Sequence, residues 1–144
     1  MNFAPVCVPI GSRVVELYGL IHQRFVEHGL DCYLGMLNSG NRGLIINAVM
    51  FFNKNDADLT RRGRELYVQL AAETSMLGYG DYRAHISFMD HAAAMYDFND
   101  HALLRMNERV KDALDPNGIL APGKQGIWPK ALRNLRTKNL GVKS

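Results

Sequence analysis

Leu44-Ile45-Ile46-Asn47-Ala48-Val49-Met50-Phe51-Phe52 is almost continuously apolar, with Asn47 its one polar side chain. The run is far shorter than the ~20 residues a membrane span needs. It follows the turn-rich Asn38-Ser39-Gly40-Asn41-Arg42-Gly43, and before that turn stands a second extended candidate, Asp31 to Leu37. Two such runs around a glycine-bearing turn predict a hairpin, and an unbroken apolar run predicts a central strand covered on both faces. A buried amide left unpaired would cost about 1 to 3 kcal/mol, so Asn47 needs a partner, either backbone or bound ligand.

The remaining segments supply layers for this hairpin. Asn2 to Ile10 is apolar, valine-bearing and broken by Pro5 and Pro9, which predicts a short or edge strand. A core-like strand with almost no leader before it implies a missing upstream portion. Ser12 is placed to cap a helix whose stripe is Val14, Leu17, Ile21 and Phe25 and whose stop is Gly29; His22 and His28 flank the stripe as surface or helix-end residues. Asn55 and Asp58 suggest a capping box before Leu59, Leu66, Leu70 and Leu77, with Arg61, Arg62, Arg64 and Glu65 as a solvated outer stripe. Ala84 to Met89 alternates as an extended segment. Asn99 or Asp100 then caps a helix through Leu103, Met106, Val110 and Leu114 that closes at Asp115-Pro116-Asn117-Gly118. Ile119 to Lys124 turns at Pro122-Gly123 and presents a lysine, and Trp128-Pro129 ends the ordered part. The expected fold class is α+β, an antiparallel sheet flanked by helices, in one domain over 1–129 with a basic tail over 130–144.

Charge narrows the partners. The net charge is +3, yet Lys130, Arg133, Arg136, Lys138 and Lys143 give the tail +5 with no acidic residue, which leaves −2 for the body. No basic face interleaved with aromatics is present, so nucleic acid is not the expected partner, and the tail reads as solvated or frayed. Cys7 and Cys32 lack CxxC spacing and read as reduced, buried thiols. His85 and His91 lack a third ligand at sensible spacing, so no metal is expected. With neither a signal-peptide pattern nor a membrane-length apolar run, a soluble cytoplasmic location is expected.

Gly78-Tyr79-Gly80-Asp81-Tyr82-Arg83 is the candidate site. The two glycines let the chain reverse between rigid elements and project Tyr82 and Arg83. A guanidinium fork beside a phenolic hydroxyl suits an anionic oxygen, phenolate or carboxylate. The plainer alternative is that Tyr82 packs while Arg83 is solvated or ion-paired. His85 or His91 could line a pocket beside Tyr82.

Asp115 to Lys124, read together with Gly78 to Arg83 and with Phe88-Met89-Asp90, resembles the carboxyl-terminal part of FAD-linked oxidases of the vanillyl-alcohol oxidase and p-cresol methylhydroxylase flavoprotein family. The resemblance covers nearly the whole chain and only the last quarter or so of such an enzyme. It implies a partial cap or substrate domain and FAD as cofactor. Tyr82 and Arg83 would be the catalytic pair, holding a substrate phenolate. Arg83, Lys124, Asn117 and Gly118 would lie on the cofactor side. The reaction implied is hydride transfer from the benzylic carbon of a para-substituted phenol to flavin through a quinone methide. A phenol has a pKa near 10, and bringing it to about 7 takes roughly 4 kcal/mol; a nearby cation supplies ~1 to 3 pKa units and a tyrosine hydrogen bond adds to that.

Two departures from the family pattern stand out. Ile45-Ile46 occupies the strand where some members carry a histidine pair, which implies a more apolar pocket wall. A glycine-rich pyrophosphate loop is absent, so the partners implied are a phenolic small molecule, a missing FAD-binding domain or subunit, and a cytochrome electron acceptor, with a homo-oligomer for the complete enzyme. The alternative reading is a noncatalytic α+β interaction module derived from the same domain. A reading frame upstream of Met1 encoding an FAD domain would separate the two.

Overall fold

A computed structural model describes residues 1–140, which divide into two compact units meeting at His85 and Ile86. In the first unit a hairpin forms as its sequence predicts. Strand β3 (Cys32–Ser39) and strand β4 (Gly43–Met50) pair antiparallel from Cys32↔Met50 to Ser39↔Gly43, and Gly40 at φ +71° lets the turn close. Along the other edge of β4 run β1 (Asn2–Phe3) and β2 (Pro5–Cys7), in one continuous register from Asn2↔Val49 to Cys7↔Leu44. The break falls next to Pro5, which has no N–H to give the ladder. A two-residue strand, β5 (Gly80–Asp81), then pairs with β2, so the amino-terminal segment is internal at β2 rather than an edge.

Period-two alternation sends Phe3, Ile46, Ala48 and Met50 to one face, where they are buried along with Leu17, Ile21 and Phe25 of helix α1 (Gly11–Glu27) and Leu66, Tyr67 and Leu70 of helix α2 (Ala57–Met76). The Phe3 and Tyr67 rings meet edge to face with centroids 5.4 Å apart. On the opposite face Ile45 is buried, Asn47 and Val49 are half-buried, and Tyr33, Leu37 and Phe51 are each more than 60% exposed. The central strand is therefore covered on both faces only at Ile45–Ile46. Asn47, half-open to solvent, escapes the penalty of a fully buried amide.

Chain ends of the helices correct three sequence expectations. Helix α1 starts two residues earlier than a Ser12 cap would allow, at Gly11, with Ile10 in the cap position and no side-chain cap. The cap of α2 is Asp56 rather than Asn55: its Oδ1 accepts from the amides of Asp58 and Leu59 at 2.9 and 3.0 Å. Leu77 lies just beyond α2 and is exposed. Both helices stop as their glycines predict. The amides of Gly78 and Tyr79 return to the carbonyls of Ser75 and Thr74, and those of Gly29 and Leu30 to Val26 and Phe25, the paired bonds of a left-handed glycine stop. His28 caps α1, with Nε2 2.8 Å from Gln69 Oε1, and His22 is exposed. Of the outer stripe, Arg61 pairs with Asp58 and Glu65.

Ala84 to Met89, which begins in the first unit and ends in the second, is not a strand. Ile86–Phe88 forms a 3₁₀ turn that runs into helix α3 (Met89–Ala94), and the buried set Phe88, Ala92 and Met95 follows a helical period. Helix α4 (Phe98–Leu114) opens with Asn99, Asp100 and His101 at φ of 49°, 52° and 55°, so neither Asn99 nor Asp100 caps it. Its apolar stripe, Leu103, Met106, Val110 and Leu114, is at least half exposed rather than buried. The basic segment beyond Trp128 is not a solvated tail over its described part. Arg133 pairs with Asp112 at 2.6 Å and Arg136 with Glu108, while helix α5 (Asn134–Asn139) sends Asn139 Nδ2 to Asp90 at 2.6 Å. Lys143 lies outside the described residues. Cys7 is buried and Cys32 half-buried, both are free, and burial raises both thiol pKa values. Among the described residues no helix is long and apolar enough to cross a membrane.

Candidate functional site

The candidate turn is built from the end of α2 outward. Gly78, at φ +83°, terminates the helix and delivers Tyr79 inward: that ring is buried, and its hydroxyl lies 3.5 Å from Glu16 of α1. Burial first, then the Glu16 carboxylate, push the Tyr79 hydroxyl up from its ordinary pKa, so it stays a neutral phenol. Of the two tyrosines in the motif, only Tyr82 is presented. It is 62% exposed, Arg83 beside it is exposed too, and among the described residues neither the Tyr82 hydroxyl nor the Arg83 guanidinium has a hydrogen-bond or ion-pair partner. Of the plainer alternative, a packed Tyr82 is not what the structure shows, whereas a solvated Arg83 is.

The backbone under this free pair is firmly tied. The Tyr82 amide donates to the Ala4 carbonyl at 2.8 Å. Asp81, only 3% exposed, accepts from the amides of Ala4 (3.0 Å) and Arg83 (3.2 Å) through Oδ1 and from the Tyr67 hydroxyl (2.5 Å) through Oδ2. Sequence reasoning passed over Asp81, Tyr67 and Ala4. The signal available was an acidic residue inside a glycine-bounded motif, a position where solvent exposure is the ordinary expectation.

The second unit gathers Asn117, Gly118 and Lys124 on one returning segment. The buried Asp115 carboxylate takes the amides of Ile119 and Leu120, each at 2.9 Å, and the Lys111 ammonium at 2.6 Å, which folds Pro116-Asn117-Gly118 into a turn with Gly118 at φ +66°. Asn117 is exposed and Gly118 half-buried against Pro129. Gly123, at φ +79°, packs its backbone on the Trp128 ring; a Cβ there would fall 2.5 Å from that ring. Trp128 is held in turn by Asp90, which takes its indole N–H at 2.7 Å. The result is a braced turn from which Lys124 is exposed. His91 stacks edge-on against Phe88, its pKa lowered by burial.

Residues 4–125 match the sequence profile of the family described as FAD linked oxidases, C-terminal domain. The chain belongs to that family. It is 28% identical over 127 residues to the 4-cresol dehydrogenase [hydroxylating] flavoprotein subunit of Pseudomonas putida, a match covering 88% of this chain and 24% of the relative. The solved 4-ethylphenol oxidase from Gulosibacter chungangensis, in its isoeugenol complex, superposes with a TM-score of 0.88 at 36% identity, over 92% of this chain and 25% of that one. A p-cresol methylhydroxylase with substrate bound gives a TM-score of 0.79 at 28% identity, over 89% and 24%. This FAD-linked oxidase domain thus spans about a quarter of the length of the relatives it matches. The α+β class, the antiparallel sheet and the FAD-linked family expected from the sequence all hold.

Proposed function

We propose that this domain supplies the phenolate-recognition half of an FAD-dependent oxidoreductase acting on para-substituted phenols. The observation that carries the reading is that the consecutive residues Tyr82 and Arg83 are both exposed, with no hydrogen-bond or ion-pair partner for either side chain among the described residues, on a backbone fixed from below. A fork of permanent positive charge and a directional donor together favour the ionised form of a bound phenol. The relatives, a cresol dehydrogenase and an ethylphenol oxidase, support a phenolic substrate.

Each unit, taken by itself, offers donors that suit FAD. Arg83 offers a cation for an electron-rich carbonyl edge, and Asn117, Gly118 and Lys124 offer an exposed amide, an open backbone and an ammonium. FAD, when bound, accepts the hydride that leaves the benzylic carbon of the phenol. The chain's own contribution is to bind the ring oxygen, to stabilise its negative charge so that the electrons can be released toward the para position, and to orient that carbon.

The uncovered sheet face at Tyr33, Leu37 and Phe51 and the α4 stripe suit docking of a further FAD-binding domain or subunit. A flavoprotein subunit among the relatives supports a separate electron-accepting partner, for which a cytochrome is the proposed class. The test adds excess FAD and a 4-alkylphenol to the purified chain alone, and then to the chain combined with the FAD-binding part of a relative such as the 4-ethylphenol oxidase. Turnover is expected only for the pair, with Arg83→Gln lowering kcat/KM about 100-fold. Tight stoichiometric flavin and turnover by the chain alone would refute the two-part reading, and an Arg83→Gln variant with unchanged kcat/KM would refute the recognition pair.

A further inference from the structure

We infer that Asp81 is a positioning residue: its carboxylate substitutes for a missing strand carbonyl and so sets where Tyr82 and Arg83 leave the sheet. The inference starts from the ladder. β5 pairs with β2 at Pro5↔Asp81 and Val6↔Gly80, so the next pair in register is Ala4 opposite Tyr82. In a regular antiparallel ladder two facing residues of this kind exchange both bonds, each amide donating to the other's carbonyl. Here only one of the two forms. The Tyr82 amide reaches the Ala4 carbonyl at 2.8 Å, but the Ala4 amide turns to Asp81 Oδ1 at 3.0 Å.

Relieved of the Ala4 amide, the Tyr82 carbonyl need not stay in the sheet, and the chain bends away at the residue that carries the free hydroxyl. The same Oδ1 also accepts from the Arg83 amide at 3.2 Å, so the two residues bearing the exposed donors both have their amides fixed. The other oxygen, Oδ2, is gripped by the Tyr67 hydroxyl of α2 at 2.5 Å, and Tyr67 is itself wholly buried against Phe3. Three distant parts of the unit, the first strand, α2 and the turn, thus meet at one buried side chain. If the site needed packing alone, an apolar side chain would meet it without the desolvation of a carboxylate. What a carboxylate adds is directed acceptance from several donors at once.

The relevance of this device to catalysis rests on the reading of Tyr82 and Arg83 as the recognition pair, whereas the device itself does not, and the experiment keeps the two apart. Amide hydrogen exchange is followed by NMR on the 144-residue chain, in wild type, Asp81→Ala, Asp81→Asn and Tyr67→Phe. In Asp81→Ala the amides of Ala4 and Arg83 are expected to exchange about tenfold faster or more, while those of Ile46 and Ala48 stay within about twofold. Asparagine keeps an acceptor oxygen and is expected to restore most of the protection. Should Asp81→Ala fail to fold, Tyr67→Phe carries the test, with Arg83 accelerated several-fold and the β4 amides unchanged. Unchanged exchange at Ala4 and Arg83, uniform acceleration across β4, or an asparagine variant no better than alanine would each overturn the inference. A second arm measures kcat and KM for a 4-alkylphenol with the chain paired to its FAD-binding portion. Local loosening in Asp81→Ala together with unaltered kcat and KM would leave the positioning role standing and sink the recognition reading.

Discussion

Asp115 shows how one side chain shapes the second unit. Its carboxylate is held below the ordinary value of 3.8 first by the Lys111 hydrogen bond, with the Ile119 and Leu120 amides adding to it. A carboxylate with a depressed folded-state pKa stabilises the fold at every pH above its unfolded value, and the contribution is lost as pH falls through the folded one. The denaturant midpoint should therefore decline as pH drops below about 4, and Asp115→Asn should flatten that decline; an identical pH slope in the variant would show that Asp115 takes no part. The Asp-Pro-Asn-Gly turn was legible because its residues act locally. Asp81 was not legible in that way: its bond to Ala4 spans 77 positions in sequence, and no local pattern announces a partner so remote. Tyr82 and Arg83 were legible as residue types suited to an anion, and the absence, among the described residues, of a partner for either side chain is what the structure adds.

Two glycines at similar positive φ carry different loads at the scale of elements. A Cβ on Gly78 would meet nothing within 4 Å, whereas one on Gly123 would strike the Trp128 ring at 2.5 Å. Gly78→Ala should thus cost only the left-handed backbone term, about 1 to 2 kcal/mol, and Gly123→Ala that term plus about 1 to 3 kcal/mol of overpacking. Denaturant unfolding of the two variants checks the order, and equal losses would remove Gly123 as the brace of the lysine turn. Periodicity found α1, α2, α4 and the hairpin, and turn chemistry found their glycine stops. It failed where a signal was short or shared. Six residues from Ala84 were too few to separate alternation from a helical start, and Asn55 and Asp56 are adjacent residues equally able to cap. The stripe on α4 was read correctly as apolar, but periodicity identifies a face without revealing whether anything covers it.

At the scale of the whole chain, a domain spanning about a quarter of its relatives retains a fully formed helical layer on one sheet face and leaves much of the other open. The strand order carries a temporal consequence. β3 and β4 are joined by three turn residues, but β1 and β2 reach β4 only after a loop of some forty residues has closed, as in Asn2↔Val49. Loop-closure entropy makes that second step costlier by about 2 kcal/mol, so the hairpin should condense first. Leu34→Ala in β3 is accordingly expected to slow refolding in stopped-flow measurements, while Val6→Ala in β2 chiefly hastens unfolding; the reverse pattern would contradict this sequence of events. Since β5 has nothing to pair with until β2 arrives, Tyr82 and Arg83 would acquire their final placement among the last events of maturation, and a nascent chain would not present that pair before its scaffold was complete.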